Sequence, residues 1–194
     1  MFKIIPVLNP DGVERGQWRF DTQGVNLNRQ YTNPSSEKHP TIKATKEYVL
    51  KEYESGNVKM FMDFHAHSTK RGCFVYGNQM SNHDEAAEAK LLPKLISLNS
   101  VNFDFRASSF EDEKNNELDW CGEGRFMSSR AVINSESRGS TPLVYTLEAN
   151  YSRGKNINRL KPRFDIELGE TVEDDDPYIQ NSLSELYGNV IEME

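Results

Sequence analysis

Apolar positions fall into short runs broken by Gly, Pro, Asn and Asp, and the spacing inside the runs alternates between strand-like and helix-like. Residues 2–8 (FKIIPVL) form an apolar, β-branched run that stops at Asn9-Pro10-Asp11-Gly12, a turn signal; this predicts a buried strand. Residues 9–39 follow, rich in Gly, Asn, Pro and Ser and without a sustained period. Such length without structure in a compact domain is commonly functional, and Trp18, Phe20 and Tyr31 favour that reading. Ile42, Val49 and Tyr53 at near-helical spacing, with Pro40 in the first turn and Ser55-Gly56 behind, predict an amphipathic helix over 40–54.

The same pattern continues downstream. Strands are predicted at 58–64, 73–76 (CFVY), 101–105 and 143–148 (LVYTLE), and helices at 85–98, bent or divided by Pro93, and at 123–133. Residues 108–120 read as a polar loop. A last amphipathic helix is predicted over 177–192, with Asp176 as its N-cap. Strands alternating with helices predict an α/β fold, a mostly parallel mixed sheet flanked by helices.

Composition narrows the functional classes. A chain of 194 residues is long enough to bury a core as one domain. No apolar run approaches membrane-spanning length, and residues 1–20 lack the layout of a secretory signal, so a cytoplasmic protein without a membrane partner is expected. Cys73 and Cys121, 48 positions apart, make neither a disulfide framework nor a thiolate zinc site. The net charge of −7 is a property of the C-terminal segment: residues 164–194 carry ten acidic groups and no Lys or Arg. Residues 121–163 carry eight basic groups against three Glu, so a site there can still receive an anion.

In an open parallel sheet, ligands bind beyond the carboxyl ends of the strands. Asn9-Pro-Asp-Gly12, the pair His65 and His67, and Glu148 stand at such ends. Asp63, His65 and His67 recur with period two and would share one face of a strand, as a metal site requires. A His-x-His pair also suits a metal-dependent β/α barrel, but that fold takes roughly 250 residues and further histidines, and only His39 and His83 remain. Arg19 and Arg29, with Asn28 beside the second, could fork a carboxylate.

Asn9-Pro-Asp-Gly-Val13, Gly16-Gln-Trp-Arg19, Gly24-Val-Asn-Leu-Asn-Arg-Gln30, His39-Pro-Thr-Ile42, Asp63-Phe-His-Ala-His-Ser68 and Tyr145-Thr-Leu-Glu148 occur in this order. The set resembles the zinc carboxypeptidases of the carboxypeptidase A superfamily, within it the cytosolic carboxypeptidases that trim glutamate from tubulin tails. Phe74-Val-Tyr-Gly77 and Gly122-Glu-Gly-Arg125 resemble the same subfamily. The resemblance implies His65 as a zinc ligand, Arg19 as the cation that polarises the scissile carbonyl, Asn28 with Arg29 as the clamp on the terminal carboxylate, and Glu148 as the general base. It further implies zinc as cofactor, peptide or protein C-termini such as tubulin tails as partners, no nucleic acid, and a cytoplasmic, microtubule-associated location. The family's substrate-binding tyrosine has no clear match, since Tyr145 would face away from Glu148. Arg130 and Arg138 are the candidates, from charge alone, for selecting an acidic side chain.

One departure shapes the expectation. The family takes two zinc ligands from a His-x-x-Glu motif upstream of the Asn-Pro-Asp-Gly turn, and none of the four histidines here has Glu three positions later. The expectation is therefore that residues 1–194, acidic segment included, are the C-terminal part of a single zinc carboxypeptidase catalytic domain that lacks its N-terminal part and is inactive alone. A non-catalytic protein that recognises acidic C-terminal peptides is the alternative.

Overall fold

The computed structural model describes residues 1–111, 118, 122–137, 141, 143–158, 160, 163–165 and 170–172. A three-stranded sheet of β1 (Phe61–His67), β2 (Cys73–Tyr76) and β3 (Val144–Asn150), in the order β1-β3-β2, forms the centre. β1 runs parallel to β3 with His65 opposite Glu148, and β2 runs antiparallel to β3 with Phe74 opposite the same Glu148. Among the described residues four α-helices accompany the sheet: α1 (Pro10–Glu14), α2 (Pro40–Glu54), α3 (His83–Asn99) and α4 (Ser129–Glu136). A separate antiparallel pair joins β4 (Arg163–Asp165) to β5 (Glu170–Val172). The expected helix-flanked mixed sheet is thus present.

Strand alternation assigns the two faces. Met62, Cys73, Val75, Tyr145 and Leu147 share one apolar cluster with Phe103 and with Leu92 and Ile96 of α3. On the opposite face, Phe61 and Val144 pack with Val49 and Tyr53 of α2 and Ile133 of α4, at the start of the parallel strands. Further along that face the strands carry Asp63, His65, His67, Thr146, Glu148, Phe74 and Tyr76. The polar set therefore stands where the covering helices end.

Helix α2 begins at Pro40, whose missing N–H costs nothing in a first turn, and buries Ile42, Thr45, Val49 and Tyr53 along one stripe. Helix α3 begins behind Asn82, whose side chain accepts the Asp84 N–H at 2.9 Å, and runs through Pro93 without dividing. Pro93 cannot donate to the carbonyl of Ala89, four residues earlier. The Tyr145 hydroxyl fills that gap, donating to the Ala89 carbonyl at 2.8 Å. A strand of the sheet thus repairs the helix that covers it, and Tyr145 is core, as its position on the alternating strand predicts.

Four expectations are corrected. Residues 2–8 form no strand and are largely exposed, Phe2 at 89% and Ile4 at 81%, because their backbone has no ladder partner among the described residues. Residues 101–105 make only a bridge, Cys73 with Phe103, before the Asp104 side chain caps a 3-10 turn and diverts the chain. The strand predicted at 58–64 starts at Phe61, so His65 and His67 lie inside it rather than beyond its end. The helix predicted over 123–133 starts at Ser129, since Gly124 and Ser128 are extended and a 3-10 turn fills the interval. The helix predicted over 177–192 lies outside the described residues.

Candidate active site

The loop 9–39 is built by its own side chains. Asn9 caps α1 by accepting the Gly12 N–H at 3.1 Å, while its amide donates to the Phe20 carbonyl at 3.0 Å. A side chain at position 12 would collide with Asn9, which requires glycine there. Asp21 accepts the N–H groups of Gln23 and Val25 at 2.9 and 2.8 Å, and the Asn26 side chain accepts the Asn28 N–H at 3.2 Å. Tyr31, fully buried, packs with Ile42 and Val132 and anchors the end of the segment. Asn28 and Arg29, on the 3-10 turn Leu27–Arg29, are thereby presented to the sheet.

At the centre, His65 Nε2 lies 2.8 Å from Asp63 Oδ2 and 3.2 Å from Asn28 Nδ2. The Ser129 hydroxyl donates to the same Asp63 oxygen, and the Ser129 N–H donates to Asn28 Oδ1 at 2.9 Å. Asn28 thus satisfies an otherwise orphaned amide at the start of α4. The Arg29 guanidinium donates to the Asn28 carbonyl at 3.0 Å, and Gln30 donates to Glu123 at 2.8 Å. Arg19, Asn28, Arg29, His65 and Glu148 all line one groove of about 1430 Å³. Arg19 is exposed there, its guanidinium 5.8 Å from the Phe20 ring.

The electrostatics follow from this packing. Burial alone would lower the His65 pKa, but the hydrogen bond and charge of Asp63, helped by the charge of Glu148, leave it raised. Burial pushes the Glu148 carboxyl up, against the opposing charge of His65 and with Asp63 adding to the rise. A carboxyl whose affinity for a proton is increased is a better base, provided its charge survives at the working pH.

Period two found Asp63, but no sequence signal pointed to Ser129, which reaches Asp63 from α4, 66 residues away. Arg130 is buried and donates to the Gly77 carbonyl at 2.6 Å and to the Asn78 side chain, while also lining the groove. Arg138 lies outside the described residues. A hydrolytic zinc takes three protein donors. Among the described residues His65 Nδ1 has no hydrogen-bond partner, but no three His, Cys, Asp or Glu side chains converge to hold a metal. The described residues do not fit a catalytic zinc by themselves. Among the described residues no helix is long and apolar enough to cross a membrane.

No family model matches the chain. It is 32% identical to cytosolic carboxypeptidase 6 of Mus musculus, over 82% of this chain and 32% of that protein. It is 29% identical to cytosolic carboxypeptidase-like protein 5 of Rattus norvegicus, over 82% of this chain and 29% of that protein. The fold is shared with a metallo-carboxypeptidase from Burkholderia cenocepacia, at a TM-score of 0.59 and 22% identity, covering 76% of this chain and 35% of that one. A metallo-carboxypeptidase from Pseudomonas aeruginosa, solved with (2-guanidinoethylmercapto)succinic acid, gives a TM-score of 0.51 at 20% identity, covering 76% and 36%. The chain spans about a third of the length of these relatives.

Proposed function

We propose that this chain, a relative of the cytosolic carboxypeptidases over 82% of its length, is the C-terminal part of a single metallocarboxypeptidase catalytic domain that removes C-terminal residues, glutamate among them, from protein tails such as those of tubulin. The observation that supports this reading is the groove shared by Arg19, Asn28, Arg29, His65 and Glu148, drawn from three separate stretches of sequence. Arg29, steadied by Asn28, would hold the terminal carboxylate, which limits attack to chain ends. Glu148 would take a proton from the attacking water and pass it to the leaving amine. Arg19 would stabilise the negative charge that develops on the carbonyl oxygen. His65 would be this chain's one contribution to a metal, held through Nδ1, with the other donors coming from polypeptide outside this sequence; a cytoplasmic, microtubule-associated setting follows from the proposed substrate.

The test compares this chain with a polypeptide extended upstream in the same reading frame. The extended form should bind zinc and release glutamate from glutamate-ended peptides, and Glu148→Gln should lower that rate by about 10²-fold or more. An unchanged rate in the Glu148→Gln form would remove Glu148 as the base. A second reading, a non-catalytic receptor for acidic C-termini, is favoured by the want of three converging metal donors among the described residues. It predicts metal-free binding of such peptides and no turnover by either form.

A further inference from the structure

Helix α3 is apolar on two sides. Its inner side buries Ala89, Pro93 and Ser97 and sends Leu92 and Ile96 into the cluster that lines one face of the sheet. Its outer side carries Leu91, Leu95 and Leu98, 55%, 46% and 56% exposed, with Ala87 exposed one turn before them. Spaced by four, four and three, these residues make one stripe along the helix. Lys90 and Lys94 border it, their ammonium groups 5.9 Å and 5.4 Å from the Phe110 and Phe105 rings, and neither joins an ion pair among the described residues. A helix apolar all round is ordinarily covered all round, yet the outer side of α3 is open.

The C-terminal segment of the same chain matches that stripe. By sequence, residues 177–192, which lie outside the described residues, place Ile179, Leu183, Leu186 and Val190 at spacings of four, three and four. Sixteen residues in a helix would extend about 24 Å, against about 25 Å for α3. A helix of that length is marginal in water without an apolar surface to fold on. Residues 173–194 hold seven acidic groups and no Lys or Arg, the complement of Lys90 and Lys94.

The segment also departs from the right place. The Ile157 N–H donates to the Val101 carbonyl at 2.8 Å, and the Asn158 amide donates to the Ser100 and Phe103 carbonyls at 2.8 and 2.7 Å. These bonds pin the chain to the C-terminal end of α3. The antiparallel pair β4 and β5 then turns the chain back on itself, and the stretches 158–163 and 172–177 on either side of it reach at most about 17 Å each. The other open apolar stretch, 2–8, follows α2, with Lys3 bridging to Glu52 at 2.7 Å and the Thr41 hydroxyl donating to the Leu8 carbonyl at 2.8 Å. Helix α2 packs on the opposite face of the sheet from α3.

We propose that residues 177–192 dock as an amphipathic helix along the outer side of α3, laying Ile179, Leu183, Leu186 and Val190 against Leu91, Leu95 and Leu98. The acidic segment is then an outer layer of this fold, with Lys90 and Lys94 at the border of the contact. Apolar burial holds it and the exposed charges add a salt-sensitive increment. The proposal stands apart from the carboxypeptidase reading, since none of these residues belongs to the groove.

The test uses the 194-residue chain with the photo-cross-linker p-benzoylphenylalanine replacing Leu186. Illumination in dilute solution should join that position to the peptide 87–98 within one monomer, as read by mass spectrometry. In the unsubstituted chain, amides of residues 177–192 should exchange at least about tenfold more slowly than in an unstructured peptide of the same sequence. Leu91→Glu with Leu95→Glu should erase both the cross-link and the protection while β3 keeps its slow exchange, because Leu92 and Ile96 still fill the inner side. Leu98→Gln, a milder change at the end of the stripe, should lower the cross-link yield about two- to fivefold and serves where the double variant loses the protection of β3. Cross-links to a second copy or to any element other than α3, unprotected amides over 177–192, or a cross-link that persists unchanged in the stripe variants overturns the docking.

Discussion

The two edges of the sheet are finished differently. Beyond β2, the chain 102–109 bonds back to the strand, with Asp104 N–H donating to the Cys73 carbonyl at 2.6 Å and Gly77 N–H to the Ser109 carbonyl at 2.8 Å. Phe103 and Val75 are fully buried beneath it. Beyond β1 no strand pairs among the described residues, Phe64 is 73% exposed, and the apolar stretch 2–8 lies open. The same kind of sequence, a β-branched or aromatic run, is core at one edge and surface at the other. Apolar character supplies a driving force for burial, but a neighbour must be present to receive it.

Substitution should expose this asymmetry. The largest effect is expected from Phe103→Ala, which empties a filled site under β2 and should cost about 3–5 kcal/mol in denaturant unfolding, whereas Phe64→Ala at the β1 edge should stay within about 0.5 kcal/mol. Comparable losses would show that the β1 edge is buried in solution. Next is Arg130→Met, which keeps the aliphatic stem but strands the Gly77 carbonyl and the Asn78 amide oxygen; about 2–3 kcal/mol should be lost. Asn78 also donates to the Val144 carbonyl at 3.1 Å, so the damage should spread to β3 and appear as faster amide exchange there.

A smaller effect is expected from Tyr145→Phe, about 1–2 kcal/mol, because the Ala89 carbonyl loses its donor. Adding Pro93→Ala restores a backbone N–H to that carbonyl, so the double variant should recover part of the loss. Additive losses would show that the hydroxyl is not repairing the helix. The smallest effect concerns Glu148, whose proton affinity is raised on folding by burial. The folded state then holds its proton more tightly than the unfolded one, so this group's contribution declines as pH rises from the ordinary glutamate value, about 4.3, through the folded one. Glu148→Gln should therefore raise the melting temperature near neutral pH, with the gain shrinking toward acid. A gain that does not change with pH would assign it to packing instead of charge.

Much of the placement of the candidate residues was legible in advance, for physical reasons specific to each residue. Asp63, His65 and His67 follow from strand alternation, and α2 follows from Pro40, the Ile42–Tyr53 stripe and Gly56. The partnership of Ser129 with Asp63 was not legible, because it joins α4 to β1 across 66 positions with no local pattern at either end. Nor was the true extent of β1, since pairing begins where the Phe61 N–H finds the Leu143 carbonyl at 2.9 Å and not where apolar residues begin.

By itself, the order of residues determined which segments prefer helix or strand, which face of each strand is polar, and which side chains are chemically able to clamp a carboxylate or move a proton. These are local properties, set by side-chain volume, backbone freedom and periodicity. Tertiary structure decided which apolar runs find a partner, and that Arg29, His65 and Glu148 share one groove. Burial, hydrogen bonding and charge interactions depend on neighbours distant in sequence, and those neighbours exist only once the chain has folded.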